Sequence, residues 1–218
     1  MKMVVVGGNS RDIGKTSVVA GLISALPWYN WTAIKLTQYG HGAYSEDGEE
    51  YDAASDAPPF VITEETDRSG KTDTSRFLVS GARRALWARV RMGTLQTALP
   101  ALRQAIANDE PFGSAQGRHV IIESNSILRY YQPNVYLTVL DPARRDFKDS
   151  AREFLARADA CLILESGLEQ AVWEEILVEL IRGKPAFSIH PPRYVTPEIA
   201  TFVEGRLAAT EKALALPR

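Results

Sequence analysis

The chain has 218 residues, of which 45% are hydrophobic, and a formal net charge of −2. This length and hydrophobic content suffice for one sizeable core, so we expect a single domain over residues 1–218. The small net charge excludes a bulk attraction to nucleic acid, and no apolar run approaches membrane-spanning length. The one cysteine, Cys161, lies in an apolar run, which is typical of a buried thiol in a reducing compartment. The apolar start is too short for a signal peptide, so we expect a cytoplasmic protein.

A glycine-bounded loop joins the first predicted strand to the first predicted helix. The segment Lys2 to Gly7 is apolar and β-branched, and an apolar helical face begins at Gly14 or Lys15 and ends before Pro27. Backbone amides of such a loop, together with a helix N-terminus, form an anion site. We therefore predict that a glycine loop, residues 8–17, binds the phosphates of a nucleotide through Gly8, Asn9, Ser10, Arg11, Asp12, Ile13, Gly14, Lys15, Thr16 and Ser17.

The spacing within the glycine loop departs from the common pattern. Five residues separate Gly8 from Gly14, whereas the common pattern has four and would require glycine in place of Asn9. Lys15 is expected to contact the outer phosphates of GTP or ATP, and the Thr16 hydroxyl is expected to bind Mg²⁺. The alternative is a surface turn that contains Gly-Lys-Thr by chance. The preceding strand and the following helix favour nucleotide binding.

The next segments predict the fold class and one long loop. Trp31 to Leu36 has the pattern of a second strand, with Lys35 near its end. A helix between two apolar strands is a βαβ unit, so we predict an α/β fold: a mostly parallel sheet with helices on both faces, in the three-layer architecture of P-loop NTPases. Residues 38–70 are rich in glycine, proline and acidic residues, and we predict a long acidic loop, either a lid or a solvated connection.

The remaining chain alternates between strand and helix patterns. We predict a short helix that the Thr, Asp and Ser residues of 72–75 can cap and that Gly81 can end, and a final helix from Thr196. Glycine and proline positions separate the other elements. These are strands Ala85–Val90, His119–Glu123, Asn134–Asp141, Ala160–Leu164 and Pro185–Ile189, helices Leu95–Ala107 and Glu169–Ile181, and a polar loop over Asn108–Gly117.

Two carboxylates are candidate magnesium ligands beside Thr16. Glu123 ends a predicted strand, and ligands of open α/β folds bind at the carboxyl ends of the strands; alternatively, it only ends the strand. Asp73 starts a helix that would face the glycine loop, and its alternative role is an ordinary N-cap. We therefore predict a magnesium site at Thr16, Asp73 and Glu123. Lys35 is a candidate catalytic residue beside Lys15, because its charge could neutralise a transferred phosphoryl group.

Three other polar residues have two interpretations each. His41, beside two glycines, could be a metal or substrate ligand, or a loop residue without a ligand. Arg144 and Arg145 follow a predicted strand. They could contact a nucleotide or an anionic substrate, or they could be the solvated start of a helix.

The motifs resemble those of known families. The five-residue spacing of the glycine loop is similar to that of dethiobiotin synthetase and cobyrinic-acid amidase, in the class that includes the nitrogenase iron protein. Residues 1 to about 125 resemble the molybdopterin-guanine dinucleotide biosynthesis protein B family in Ile34-Lys35-Leu36-Thr37, in Asp67-Arg68-Ser69-Gly70-Lys71-Thr72-Asp73-Thr74, in Arg76 and in Ser80-Gly81-Ala82. The chain departs from that family at Leu36 and Gln38, where the family has histidines. It also departs at the inserted Thr72 and at Ser124, which replaces a glycine of the family.

The resemblance implies a GTP-associated protein that assists the attachment of a nucleotide to the molybdenum cofactor, together with a partner enzyme. It implies phosphate contacts at Lys15 and magnesium at Thr16, Asp73 and Glu123, with slow hydrolysis. The chain contains no Asn-Lys-x-Asp guanine signature, so GTP and ATP both remain open. The alternatives are an ATP-dependent carboxylate ligase or kinase resembling dethiobiotin synthetase, and a nucleotide sensor without turnover. Proteins of this class often pair through the nucleotide face, so a homodimer is a further possibility.

Overall fold

The computed structural model describes residues 1–40, 58–107, 119–169, 171–172 and 178–214. An eight-stranded sheet runs through it in the order β3-β4-β2-β5-β1-β6-β7-β8. All neighbouring strands are parallel except β3, which pairs antiparallel with β4 at the sheet edge. The strands are β1 (Lys2–Gly8), β2 (Thr32–Tyr39), β3 (Phe60–Glu64), β4 (Arg84–Arg91), β5 (His119–Glu123), β6 (Val135–Leu140), β7 (Ala160–Leu164) and β8 (Ala186–Ile189).

Six helices of the described residues lie between the strands or after the last one. They are α1 (Lys15–Ala25), α2 (Asp73–Val79), α3 (Leu95–Ala107), α4 (Asp149–Phe154), α5 (Glu165–Leu168) and α6 (Pro197–Leu214). Short 3₁₀ turns occupy Pro27–Tyr29, Ser126–Arg129 and Leu155–Arg157. No helix in the described part of the chain is long and apolar enough to cross a membrane.

The central strand β1 contributes to two separate hydrophobic cores. Val4 and Val6 pack in the core that includes apolar residues of α1, α2 and α6. Met3 and Val5 point to the opposite face and pack with residues of α3 and α4. A strand that is buried on both faces is typical of a parallel sheet between two layers of helices. The predicted α/β class and three-layer architecture are therefore confirmed.

The strand register determines where the polar side chains meet. Val6 of β1 is level with Glu123 of β5, and Lys35 of β2 is level with Glu123 on its other side. The three strands are parallel, so their carboxyl ends lie at the same edge of the sheet. The glycine loop, which follows β1, therefore lies next to Glu123 and Lys35.

Several predicted boundaries differ from the structure. β2 continues to Tyr39, and β3 lies within the stretch predicted as one loop over 38–70; residues 41–57 of that stretch lie outside the described residues. Arg144 and Arg145 precede α4 by several residues and do not start a helix, because the chain from residue 141 to 148 is held against the glycine loop instead. Residues 170 and 173–177 of the predicted helix Glu169–Ile181 lie outside the described residues, as do His41 and the predicted loop 108–117.

Candidate functional site

The last residue of the glycine loop before α1 has a left-handed backbone. Gly14 has φ = 88° and is the N-cap residue of the helix. A Cβ atom added to Gly14 would lie 2.1 Å from Cε1 of Tyr194. Both the positive φ and the close approach of the ring require glycine here. This turn lets α1 begin at Lys15 with its N-terminus facing the loop.

Asn9, which stands where the common pattern requires glycine, binds the chain after β6. Its Oδ1 accepts a hydrogen bond of 2.9 Å from the Asp141 amide, and its carbonyl accepts one of 2.8 Å from the Lys148 amide. The neighbouring Ser10 hydroxyl donates to Oδ2 of Asp146 at 2.5 Å. Asn9 and Ser10 therefore anchor the longer loop to residues 141–148, which explains how the extra residue is accommodated.

The two residues with predicted nucleotide roles follow directly. The Lys15 ammonium group donates a hydrogen bond of 2.5 Å to the carbonyl of Ser10 and so lies over the loop. The Thr16 hydroxyl donates one of 2.8 Å to Oε2 of Glu123. The proton of Thr16 is thereby directed to Glu123, while the lone pairs of its oxygen can still bind a cation.

Glu123 is a buried carboxylate among cations. Its exposed fraction is 7%. Burial raises the pKa of the Glu123 carboxyl above its ordinary value of 4.5, and the charges of Lys35 and Lys15 oppose this increase. A cation that binds beside a buried carboxylate stabilises its charged form, because the cation compensates for the lost hydration.

The start of α2 brings a second charged group to the site. Thr72 is the N-cap, since its side chain accepts a hydrogen bond from the Ser75 amide. Asp73 is therefore not the cap residue. Its carboxylate forms an ion pair with Lys35, and Arg76 lies 3.7 Å from its other oxygen. Arg76 also donates a hydrogen bond of 2.8 Å to the Ser17 hydroxyl, which ties α2 to α1.

These side chains surround an open cleft of about 290 Å³. Nine of its lining residues are predicted site residues: Arg11, Asp12, Gly14, Lys15, Thr16, Ser17, Lys35, Asp73 and Glu123; Arg76 and Tyr194 complete the lining. Four predicted loop members do not line it. These are Gly8, Asn9, Ser10 and Ile13, and the side chain of Ile13 is buried in the core that includes apolar residues of α1. Arg144 and Arg145 are not among its lining residues.

The sequence reasoning missed three residues of the site. Asn125 exchanges two hydrogen bonds of 2.9 Å with the amide and carbonyl of Gly8 and so fixes the end of β1. Its position two residues after a strand end was an available signal. Arg76 belongs to a resembling motif but has no predicted role, and Tyr194 has no local signal, because it reaches Gly14 from beyond the last strand.

The oxygen donors fit a hard cation such as Mg²⁺. Within the described residues, no group of three or more His, Cys, Asp or Glu side chains could hold a metal by itself. Magnesium usually takes only one or two carboxylates, and phosphate oxygens and water supply the rest. Thr16 and Glu123 provide adjacent oxygens, and Asp73 lies across the same cleft. The set matches a cation that binds together with phosphate.

Comparisons with known proteins give fold similarity alone. No protein-family model matches the chain, and no curated protein matches it. Similar solved structures include HypB from Helicobacter pylori in complex with nickel (TM-score 0.49, 13% identity, 99% of this chain and 90% of that chain). A second is LpxK from Aquifex aeolicus in complex with ATP (TM-score 0.45, 15% identity, 86% of this chain and 53% of that chain). A third is the Zn(II)-bound YjiA GTPase from E. coli (TM-score 0.39, 11% identity, 92% of this chain and 60% of that chain). The similarity in each case is too low to transfer a ligand or a reaction.

Proposed function

We propose that this chain is a magnesium-dependent nucleoside triphosphate-binding protein that hydrolyses GTP or ATP slowly. The observation that carries the proposal is the junction of Lys15, Thr16 and Glu123 at the N-terminus of α1. A glycine turn, a lysine over the loop and a threonine hydroxyl on a buried carboxylate are the parts that phosphate and magnesium require together. The helix N-terminus adds a favourable partial positive charge.

Each residue has a distinct task in this proposal. Lys15 would exchange its contact with the Ser10 carbonyl for the outer phosphates. Thr16 would bind the cation through its oxygen, with Glu123 beside it. Lys35 and Arg76 would stabilise negative charge on the terminal phosphate, provided that Asp73 turns from them toward the cation. Magnesium, when bound, neutralises charge on the phosphate oxygens.

The experiment that tests the proposal is titration calorimetry with ATP and GTP in the presence of Mg²⁺. Lys15→Ala is expected to abolish binding of both nucleotides while the thermal unfolding midpoint without nucleotide stays near that of the wild type. Lys2→Ala, at the opposite end of β1, removes the same charge and is expected to leave binding unchanged. Unaltered affinity in Lys15→Ala would refute nucleotide binding at this loop.

A second candidate function is phosphoryl transfer to a carboxylate or another acceptor. It is favoured by a small hollow beside the cleft, which shares Lys15, Lys35 and Glu123 with it and continues to Lys148 and Ser150. Lys35 would then neutralise charge on the phosphoryl group in transit. Turnover that requires an added acceptor would favour phosphoryl transfer. Hydrolysis without an acceptor would favour the slow hydrolysis proposed first, and nucleotide binding without turnover would favour a nucleotide sensor.

The finer role, an accessory of molybdenum-cofactor guanylation with a partner enzyme, rests on the motif resemblance over residues 1 to about 125. Two residues of the resembling segments, Lys35 and Asp73, meet in the cleft, which supports a shared use of these motifs. Binding of GTP in strong preference to ATP is expected for that role. Pairing of two copies through the nucleotide face stays a prediction, to be measured by sedimentation with and without nucleotide.

A further inference from the structure

One aromatic ring borders the cleft. Tyr194 lines it and packs directly on Gly14, where an added Cβ would lie 2.1 Å from the ring. It is the only aromatic side chain among the described residues that line the cleft. Glu123 of β5 and Arg76 of α2 instead contact Thr16 and Ser17, in the first turn of α1. The cleft thus has a charged side formed by residues of β2, β5 and α2, and Tyr194 borders the part at Gly14, where Arg11 and Asp12 also line the cleft.

The ring of Tyr194 is held in place by its neighbours. Val195, the next residue, packs on Gly21 of α1, where an added Cβ would lie 2.7 Å from Cγ2 of Val195. Both side chains pack against the core that α1 shares with α6. Close approaches to Gly14 and Gly21, which are about two helical turns apart, therefore attach this segment to α1. A ring that is already ordered loses little freedom when a ligand stacks on it.

Building on the proposed function, we propose that Tyr194 stacks on the base of the bound nucleotide. The ring would bind the base through stacking and not through a sequence motif that forms hydrogen bonds with one particular base. Phosphates and cation are drawn to the charged side of the cleft, so the ribose and base extend away from it, toward the ring. Every base has a π-face, and stacking on an aromatic side chain is worth about 5- to 150-fold in affinity. Stacking on the ring by itself therefore accepts both purines, which is consistent with the absence of Asn-Lys-x-Asp from the sequence.

The test separates the base from the phosphates. ATP, GTP and tripolyphosphate, each with Mg²⁺, are titrated into the wild type, Tyr194→Ala, Tyr194→Leu and Tyr194→Phe. We expect Tyr194→Ala and Tyr194→Leu to weaken the affinity for ATP and for GTP by about tenfold or more and to leave the affinity for tripolyphosphate unchanged. Tyr194→Phe is expected to retain all three affinities. Tyr131→Ala removes a tyrosine that packs against the opposite core and is expected to change none of them.

Each other outcome has a defined meaning. If Tyr194→Ala and Tyr194→Leu weaken tripolyphosphate as much as ATP, the ring only supports the loop and the stacking proposal is wrong. If the wild type binds tripolyphosphate as tightly as ATP, the base has no subsite, yet nucleotide binding at the glycine loop stands. If the wild type binds none of the three, the proposed function fails, and the base subsite fails with it.

Discussion

The hydroxyl of Thr16 donates a hydrogen bond of 2.8 Å to Oε2 of Glu123, 107 residues later in the chain. The two residues meet because β1 and β5 are parallel neighbours, with Val6 level with Glu123. The contact joins the first turn of α1 to the end of β5. It also leaves a carboxylate buried beside Lys15 and Lys35, and this arrangement has a cost without a bound cation.

Replacing Glu123 by glutamine is expected to raise the free energy of unfolding at neutral pH in the absence of metal and nucleotide. Burial raises the pKa of Glu123 above 4.5, so the folded protein binds this proton more tightly than the unfolded chain. The contribution of Glu123 to stability is therefore present below pH 4.5 and is lost as pH rises through the raised pKa. Urea denaturation between pH 4.5 and 8 should show that the free energy of unfolding of Glu123→Gln exceeds that of the wild type by an amount that increases with pH.

The same variant is expected to weaken the magnesium-dependent part of ATP affinity by about 10- to 100-fold, as loss of a group at a metal commonly does. Glu204→Gln on α6, outside the cleft, is the control for both measurements. A stability difference that stays constant over the pH range, or magnesium dependence like that of the wild type, would contradict the assigned role.

Asp73→Asn is expected to weaken magnesium dependence and to lower the free energy of unfolding by on the order of 1 kcal/mol. The Asp73 carboxylate forms an ion pair with Lys35, and their side chains are 31% and 16% exposed. A double-mutant cycle with Lys35→Met should give a coupling of about 0.5–3 kcal/mol. Glu153→Gln breaks the exposed pair with Arg129 and should not alter magnesium dependence. Equal magnesium dependence in Asp73→Asn would restrict Asp73 to the ion pair.

Gly7→Ala is expected to destabilise the protein by about 1–3 kcal/mol, as overpacking of a tight site does. Its Cβ would lie 2.0 Å from Oδ1 of Asn125 and 3.1 Å from the Tyr136 hydroxyl. Since Asn125 holds the amide and carbonyl of Gly8, ATP affinity should also fall. Gly205→Ala in α6 is the matched control. A Cβ at Gly205 would meet nothing within 4 Å, and Gly205→Ala is expected to raise the free energy of unfolding by about 0.5–1 kcal/mol. Similar denaturation midpoints for the two variants would show that the packing at Gly7 is unimportant.

Thr72→Ala is expected to lower the free energy of unfolding by about 1 kcal/mol, because the Ser75 amide loses its capping oxygen. Thr72→Ser keeps a hydroxyl and should retain most of the stability. Chemical denaturation of both variants compares them directly, and equal losses would assign the effect to packing instead of capping. The residue that is inserted relative to the resembling family thus begins the helix that carries Asp73 and Arg76.

The elements with strong local patterns were predictable. Leu95–Ala107 has the bounds that its apolar stripe predicts, and Ala160–Leu164 and His119–Glu123 were recognised as short apolar strands. β3 was missed, because Phe60–Glu64 is short, has an acidic end and becomes a strand only through its antiparallel pairing with the edge of β4. One of the two interpretations of Arg144, the solvated start of a helix, follows from its neighbours in sequence, whereas Asn9 and Ser10 hold that segment as a loop.

The sequence by itself determined the glycine loop and the carboxylate at the end of β5. A left-handed turn at Gly14, a helix start at Lys15 and a strand end at Glu123 are requirements of the local backbone, which nearby residues reveal. Only the tertiary structure decided that Thr16 meets Glu123, that Asp73 pairs with Lys35 and that Tyr194 covers Gly14. These contacts join residues from separate strands and helices, so they depend on strand order and register, which no local pattern contains.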